Sequence, residues 1–165
     1  MISRVRYLEN GYLDVRYLIE NTNTFTWCTG GRGTGKTYGV CQYLAEEYEE
    51  NSEHMFIFLR RRGTEAGCIS TPETNPFLDL TNVKGSKWFK KDPPFIPETL
   101  DSKNGIVCFR STKTGDICGY LLALTTFYKV KSIPFPKVNI IAYDEFIPMA
   151  GSAKIKNEYG TFYMM

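Results

Sequence analysis

Residues 24–40 read TFTWCTGGRGTGKTYGV, and this stretch decides the fold class of the chain. Residues 24–29 are β-branched and aromatic and end at a double glycine, which predicts a short buried strand. In residues 36–50, Val40, Leu44 and Tyr48 recur at every fourth position, which predicts a helix with one apolar face. A strand, a glycine-rich turn and a helix in this order indicate an α/β fold.

The glycine-rich turn has the pattern GxxxxGK(S/T). Glycines let backbone N–H groups and the start of a helix approach phosphate oxygens closely. In this pattern the lysine, here Lys36, reaches the β- and γ-phosphates, and the hydroxyl of Thr37 ligates Mg²⁺. Arg32 either folds back on the γ-phosphate or stays solvated. We therefore predict that a nucleotide and Mg²⁺ are bound by one continuous segment: Gly30, Gly31, Arg32, Gly33, Thr34, Gly35, Lys36, Thr37 and Tyr38.

A second apolar strand, residues 138–143 (VNIIAY), runs directly into Asp144 and Glu145. The carboxyl ends of parallel strands face the ligand crevice of an α/β sheet, so we expect Asp144 beside the metal held by Thr37. Glu145 can then orient or deprotonate an attacking water. Water as the acceptor favours hydrolysis over transfer of the phosphoryl group to a substrate.

The rest of the chain fits one domain, residues 1–165, with no visible repeat or linker. Residues 55–59 (MFIFL) predict a strand covered on both faces, and residues 106–110 and 117–125 predict a hairpin. Residues 67–97 are rich in proline and predict mostly loop. The predicted architecture is an α/β P-loop NTPase with a mostly parallel central sheet and an added β-hairpin.

Two basic segments allow alternative interpretations. Arg60, Arg61 and Arg62 follow the 55–59 strand and can contact DNA, a neighbouring subunit or water. Residues 84–95 (KGSKWFKKDPPF) interleave lysines with Trp88 and Phe89. This segment either grips a phosphate backbone or buries its aromatic rings in the core and leaves its lysines in solvent.

Composition excludes several other classes of site. A formal net charge of +2 does not by itself argue for nucleic acid, and the five cysteines form an odd set without a CxxC pair. His54 is the single histidine and has no ligand-spaced neighbour, so a zinc site is not supported. We expect reduced cysteines in the core. The longest apolar run, residues 117–128, is too short to span a bilayer, so no membrane contact and a cytosolic location are expected.

Four segments together resemble the DNA-packaging ATPases of small tailed phages of the Salasvirus type, relatives of the large terminases. They are residues 26–40 (TWCTGGRGTGKTYGV), residues 56–61 (FIFLRR), Lys131 and Ser132 with Pro136 shortly after, and residues 138–147 (VNIIAYDEFI). The resemblance implies ATP as the nucleotide and Glu145, Lys36, Arg32 and Lys131 as catalytic residues, Lys131 acting across a subunit interface. It also implies a pentameric ring at the portal vertex of a procapsid in the host cytoplasm, with double-stranded DNA, the portal and a packaging RNA as partners.

The sequence departs from this family after Glu145. ATPases with a catalytic glutamate insert a later strand between the loop strand and the acid-tipped strand, and we see no room for it before Met165. The family's later arginine finger and nuclease-like domain have no counterpart either, so we expect a fragment of a longer protein. Two alternatives stay open: a small nucleotide kinase, which needs no inserted strand, and a nucleotide-dependent assembly switch with little turnover.

Overall fold

The computed structural model describes residues 5–20, 25–130, 132–147 and 154–163. In these ranges lie five α-helices and five strands, with short 3-10 turns at Pro72–Thr74, Pro76–Leu78 and Leu124–Lys129. The helices are α1 (Val15–Glu20), α2 (Lys36–Glu50), α3 (Gly63–Gly67), α4 (Asp79–Asn82) and α5 (Glu158–Tyr163). The strands are β1 (Met55–Arg60), β2 (Phe95–Asp101), β3 (Ile106–Ser111), β4 (Ile117–Ala123) and β5 (Val138–Tyr143).

The five strands form one mixed sheet in the order β2-β3-β4-β1-β5. β1 pairs in parallel with both β4 and β5, whereas β2, β3 and β4 form an antiparallel meander. The predicted hairpin is confirmed as β3 and β4. The sheet divides evenly between two parallel and two antiparallel pairings, so the expectation of a mostly parallel sheet holds only around β1.

The core lies on both faces of β1, every residue of which is buried, as the 55–59 run predicts. On one face α2 packs through its apolar side, which includes Cys41, Leu44 and Tyr48. Beside it four rings interlock with centroids 5.0–5.8 Å apart, the rings of Phe56, Phe77, Phe95 and Phe109. The opposite face holds a smaller cluster around Leu59, Leu122 and Leu124.

The cysteine expectation is confirmed only in part. Cys41, Cys108 and Cys118 are buried core residues with free thiols, whereas Cys68 is exposed and Cys28 is partly buried.

The strand predicted at residues 24–29 is wrong over the part that the structure describes. Residues 25–29 have no regular structure, and the side chains of Phe25 and Trp27 are 58% and 61% exposed. A β-branched and aromatic run becomes a strand only when a neighbouring strand pairs with it and covers its faces. Here Trp27 instead contacts the ring of Phe146, just beyond β5, at a centroid distance of 5.2 Å.

The loop predicted at residues 67–97 is right for most of its length, with only short helical turns. It is wrong at its end, because β2 begins at Phe95 and continues past Pro97. β2 lies at the edge of the sheet, so one side of it has no neighbouring strand that needs a hydrogen bond. Such a strand tolerates a proline, which has no backbone N–H to donate. β5 forms the other edge among the described strands, with Ile141 40% exposed.

No helix among the described residues is long and apolar enough to cross a membrane.

Candidate nucleotide-binding site

The glycine loop, residues 30–35, leads directly into the N-terminus of α2. Gly33 and Gly35 have φ angles of 80° and 76°, in the left-handed region that favours glycine. A side chain at Gly35 would also clash with its neighbour, because a Cβ atom there would lie 2.4 Å from Cγ of Tyr12. The ring of Tyr12 thus braces the loop, and no side chain caps the start of α2.

Lys36 closes over the loop that precedes it. Its Nζ donates to the carbonyl oxygens of Gly30 at 3.0 Å and Gly31 at 2.6 Å, and to Oγ1 of Thr34 at 3.1 Å. The ammonium group therefore lies where the loop backbone turns, beside the free N-terminal end of α2. A positive charge combined with a helix N-terminus suits an anion such as a phosphate.

Thr37 and Asp144 meet, although more than a hundred residues separate them in sequence. Oγ1 of Thr37 donates to Oδ2 of Asp144 at 3.1 Å. The backbone N–H of Asp144 donates to the carbonyl of Leu59 at 3.0 Å, so pairing with β1 continues one residue beyond β5 and fixes this side chain. The predicted meeting of the glycine loop with the acid-tipped strand is present.

This pair of oxygens fits a small divalent cation. Two neighbouring ligands of an octahedral Mg²⁺ at about 2.1 Å lie roughly 3 Å apart, close to the observed separation. Within the described ranges no group of three or more His, Cys, Asp or Glu side chains could hold a metal. Mg²⁺ is commonly held by one or two protein oxygens together with phosphates and water, and Thr37 with Asp144 suits that mode.

Glu145 lies beside this pair in an unusual backbone conformation. Its φ angle is 55°, in the left-handed region, and its N–H donates to Oδ1 of Asp144 at 3.0 Å. Its side chain is 65% exposed, and Oε2 lies 2.8 Å from Nη1 of Arg60.

Arg60 is the site residue whose position sequence reasoning missed. It ends β1, its side chain is only 9% exposed, and Nη2 lies 3.2 Å from Oδ2 of Asp144 while Nη1 binds Glu145. The pairing of Leu59 with Tyr143 brings the next residues, Arg60 and Asp144, side by side. A parallel pairing of the 55–59 and 138–143 runs would have shown this. The suggestion that Arg60 contacts DNA or water is not compatible with its burial.

Arg61 is also buried and does not face solvent. Its guanidinium binds both carboxylate oxygens of Glu158, at 2.6 and 2.7 Å, and Tyr143 donates to the same carboxylate at 3.0 Å. The Arg61 hydrogen bonds lower the pKa of Glu158, and burial raises the pKa of the Tyr143 hydroxyl. These contacts fasten α5 to the ends of β1 and β5. Arg62 is partly buried and takes part in the cap of α3.

The remaining predicted site residues divide into three groups. Gly30, Gly31, Gly33 and Arg32 are exposed or partly exposed at the loop, as a ligand-binding segment requires. Tyr38 is 4% exposed and its ring packs edge-on against Tyr12, so its side chain belongs to the core and supports the loop from behind. Lys131 lies outside the described residues.

The lysine-rich segment, residues 84–91, also buries one of its rings. Trp88 is 4% exposed and belongs to the core, which confirms for this side chain the alternative in which the segment buries its aromatic rings. Lys84, Lys87, Lys90 and Lys91 are exposed, and Lys87 forms an ion pair with Glu49 of α2.

A scan against protein-family models gave no match, and neither did a search of curated proteins. Solved structures do match. The N-terminal domain of the DNA packaging ATPase of bacteriophage phi29 superposes with a TM-score of 0.59 at 22% identity, covering 81% of this chain and 59% of that one. The fold of this chain resembles that of the phi29 packaging ATPase domain.

Two motor assemblies agree with this likeness. The phi29 viral genome packaging motor gives a TM-score of 0.66 at 19% identity over 93% of this chain. The Phi-28 gp11 DNA packaging motor gives 0.64 at 21% identity over 94%. The present chain spans 41–59% of the length of these three proteins. The likeness concerns the fold, and activity must be argued from the site.

Proposed function

We propose that this chain is the ATP-hydrolysing motor domain of a DNA-packaging machine and drives double-stranded DNA into a viral procapsid. The observation that carries the proposal is the hydrogen bond between Thr37 and Asp144, which joins the glycine loop to the acid-tipped strand. A P-loop NTPase needs these two elements in contact, because a hydroxyl of the loop and an acid of the strand hold the same Mg²⁺.

In this proposal the glycine loop and Lys36 bind the phosphates of ATP. Lys36 would exchange its bonds to the loop carbonyls for bonds to phosphate oxygens, which are stronger because both partners are charged. Thr37 and Asp144 would hold Mg²⁺, which supplies neutralisation of phosphate charge. Arg32, exposed in the loop, is available to a γ-phosphate.

Glu145 is the proposed general base. Its exposed carboxylate lies next to the Asp144 that would face the metal, so it can accept a hydrogen bond from a water that attacks the γ-phosphate. The oxygen of that water would bond to the γ-phosphorus while its proton passes to Glu145. The bond between the γ-phosphorus and the β,γ-bridging oxygen would break, and ADP and phosphate would leave. Lys131 is proposed to act across a subunit interface.

The likeness of the fold to phage packaging motors supports the proposed partners. A homo-oligomeric ring, the portal, a packaging RNA and double-stranded DNA are proposed as partners at the portal vertex of the procapsid in the host cytoplasm. The exposed lysines of residues 84–91 offer one surface for DNA phosphates.

Nucleotide binding and phosphate release test this function. Titration with Mg²⁺ and AMP-PNP should show binding that Lys36→Ala weakens by about 10- to 100-fold, the effect of losing charged hydrogen bonds to phosphate. The exposed Lys103→Ala variant, on the turn after β2, should bind normally.

Phosphate release from ATP should rise with double-stranded DNA and disappear in Glu145→Gln, which should still bind nucleotide. Turnover of ATP that does not change with DNA but requires a phosphate acceptor would favour a small kinase. Binding with negligible release under every condition would favour an assembly switch, and absence of binding would refute the proposal.

A further inference from the structure

Two lysines from separate parts of the chain meet at the last turn of α2. Nζ of Lys113, on the turn between β3 and β4, lies 2.6 Å from Oε1 of Glu49. The ammonium group of Lys87 binds Oε2, the other oxygen of the same carboxylate. One glutamate therefore gathers two positive charges at the end of α2, where the helix dipole also favours cations.

These two lysines face solvent, whereas the carboxylate between them is mostly covered. The side chains of Lys87 and Lys113 are 57% and 70% exposed, and that of Glu49 is 16% exposed. An anion that approaches from solvent would therefore meet the ammonium groups before it meets Glu49. Exposed ion pairs contribute little to stability, so an incoming anion can take over the lysines at small cost.

A third lysine and a buried ring complete this region. Nζ of Lys91 donates to the backbone carbonyl of Lys87 at 2.8 Å, which keeps a further charge beside the pair. Nζ of Lys87 lies 5.6 Å from the ring centroid of the buried Trp88, a cation–π contact that restricts the position of the ammonium. Lys87, Lys91 and Lys113 together form the lysine surface. With the exposed Lys84 and Lys90 of the same segment, the lysines outnumber the acids that accompany them, which are Glu49, Asp92 and Asp116.

The aromatic rings of this segment are not available for stacking on bases. Trp88 is 4% exposed, and Phe89 is partly buried with Nζ of Lys90 at 5.4 Å from its ring centroid. Proteins that bind single-stranded nucleic acid stack bases on exposed rings. A lysine ammonium contacts phosphate as a point charge and carries no base information. The lysine surface therefore fits the backbone of a duplex, independently of sequence.

We propose that the lysine surface contacts the phosphate backbone of double-stranded DNA, and that Glu49 occupies the same ammonium groups when DNA is absent. A carboxylate and a phosphodiester each present two anionic oxygens, so one can replace the other on Lys87 and Lys113. This inference rests on the proposed function, which makes DNA the partner, and adds the contact residues and an internal competitor. Glu49 stays at the end of α2 when DNA binds, so it repels the phosphate and keeps the contact reversible.

Glu49→Gln tests the competition, because glutamine keeps the length of the side chain and removes its charge. Kd for a short labelled DNA duplex is measured by fluorescence anisotropy at several salt concentrations. We expect the variant to bind about threefold to tenfold more tightly at low salt. The plot of log Kd against log salt should be steeper by about 1, because one more phosphate is neutralised.

Glu65→Gln is the matched control for this charge change. Glu65 lies in α3, beyond the opposite end of β1, and accepts a hydrogen bond from the N–H of Arg62 that a glutamine oxygen can also accept. The change in net charge is the same as in Glu49→Gln, but it is made away from the lysine surface. Kd for the duplex should therefore change less than about twofold, since distant charges are screened by salt.

Lys87→Gln and Lys113→Gln test the contact itself. Each should weaken duplex binding several-fold at low salt and lower the salt slope by about 1, the effect of one lost phosphate contact. Lys103→Gln removes an exposed lysine from the turn at the other end of β3 and should change neither quantity. The gain from Glu49→Gln should disappear when both lysines are also replaced, because the glutamate then has nothing to compete for.

Competition with unlabelled nucleic acids tests the assignment to a duplex. Double-stranded DNA should displace the labelled duplex at about threefold or more lower concentration than a single strand of the same length, because its charge density is higher. Stronger displacement by the single strand or by a folded RNA would overturn the assignment to double-stranded DNA.

Two results would overturn the lysine surface. One is a folded Glu49→Gln variant that binds the duplex no more tightly than the wild type, and the other is a pair of lysine variants with the wild-type salt slope. Thermal unfolding checks that each variant is folded. AMP-PNP binding should be unchanged in all of them, because α2 separates these residues from the glycine loop. A wild type that binds no AMP-PNP would instead refute the proposed function, so the two failures are distinguishable.

Discussion

Replacement of Gly35 by alanine should destabilise the fold in two separable ways. The left-handed φ of 76° disfavours any residue with a Cβ by roughly 1–2 kcal/mol. The new Cβ also meets the side chain of Tyr12, at 2.4 Å from Cγ and 2.5 Å from Cβ, and such overpacking costs about 1–3 kcal/mol. The combined loss is about 2–5 kcal/mol, a large part of the stability of a typical domain.

Gly33→Ala provides the matched control. Gly33 has nearly the same φ, 80°, but a Cβ there would meet nothing within 4 Å. We therefore expect Gly33→Ala to lose only the roughly 1–2 kcal/mol of backbone strain. The free energies of unfolding of the two variants, measured in urea, should differ only by the cost of the overlap with Tyr12.

Tyr12→Gly completes the cycle, because it removes the Cβ of Tyr12 as well as its ring. In the Tyr12→Gly background, the losses of unfolding free energy caused by Gly35→Ala and by Gly33→Ala should differ by about 0.5 kcal/mol or less, which is the usual error of additivity. Equal losses for both glycines in the wild-type background would refute the conclusion that Tyr12 braces the loop. A difference that survives Tyr12→Gly would refute it too.

Three further predictions concern the stability of the fold. Because Arg61 lowers the pKa of Glu158, that pair stabilises the fold above the unfolded glutamate pKa of about 4.3, and the gain is lost as pH falls through the lower folded pKa. Glu158→Gln should lower the free energy of unfolding by about 3 kcal/mol at pH 7. The urea midpoint of the wild type should fall between about pH 5 and 3, and it should fall less in the variant. An equal fall in both proteins would mean that the ion pair is absent in solution. Phe77→Ala should cost about 3–5 kcal/mol in urea unfolding, whereas the exposed Phe25→Ala should stay within about 0.5 kcal/mol, and similar losses would contradict the assigned core. Glu49→Gln removes the ion pairs of Glu49 with Lys87 and Lys113. It should shift the thermal midpoint by no more than a loss of about 1 kcal/mol of stability would. A larger shift would mean that these ion pairs contribute substantially to the stability of the fold.

Sequence patterns predict the local elements of this fold well. The four-residue period of α2, the uninterrupted apolar run of β1 and the hairpin of β3 and β4 each depend on neighbours close in the chain. The meeting of Thr37 with Asp144 was also predictable, because the loop motif and the acid-tipped strand both mark the ligand edge of a parallel sheet.

Features that depend on distant neighbours were not predictable in the same way. Residues 24–29 have the composition of a strand, but residues 25–29, which the structure describes, find no partner strand in the described part of the chain. β2 forms through Pro97 because it lies at an edge. The role of Arg60 depends on which strand lies beside β1 and in which register. Such pairing is a property of the whole sheet and is not present in any short window of sequence.

The central claim is that Thr37 and Asp144 hold one divalent cation together with the nucleotide. The most direct measurement is the affinity for AMP-PNP of the wild type, Thr37→Ala, Asp144→Asn and the double variant, each in Mg²⁺ and in EDTA. We predict that each single variant binds about tenfold or more weakly in Mg²⁺, that the double variant is little worse than either, and that all four agree in EDTA. Single variants that weaken binding equally in EDTA, or effects that add fully in the double variant, would contradict a shared cation.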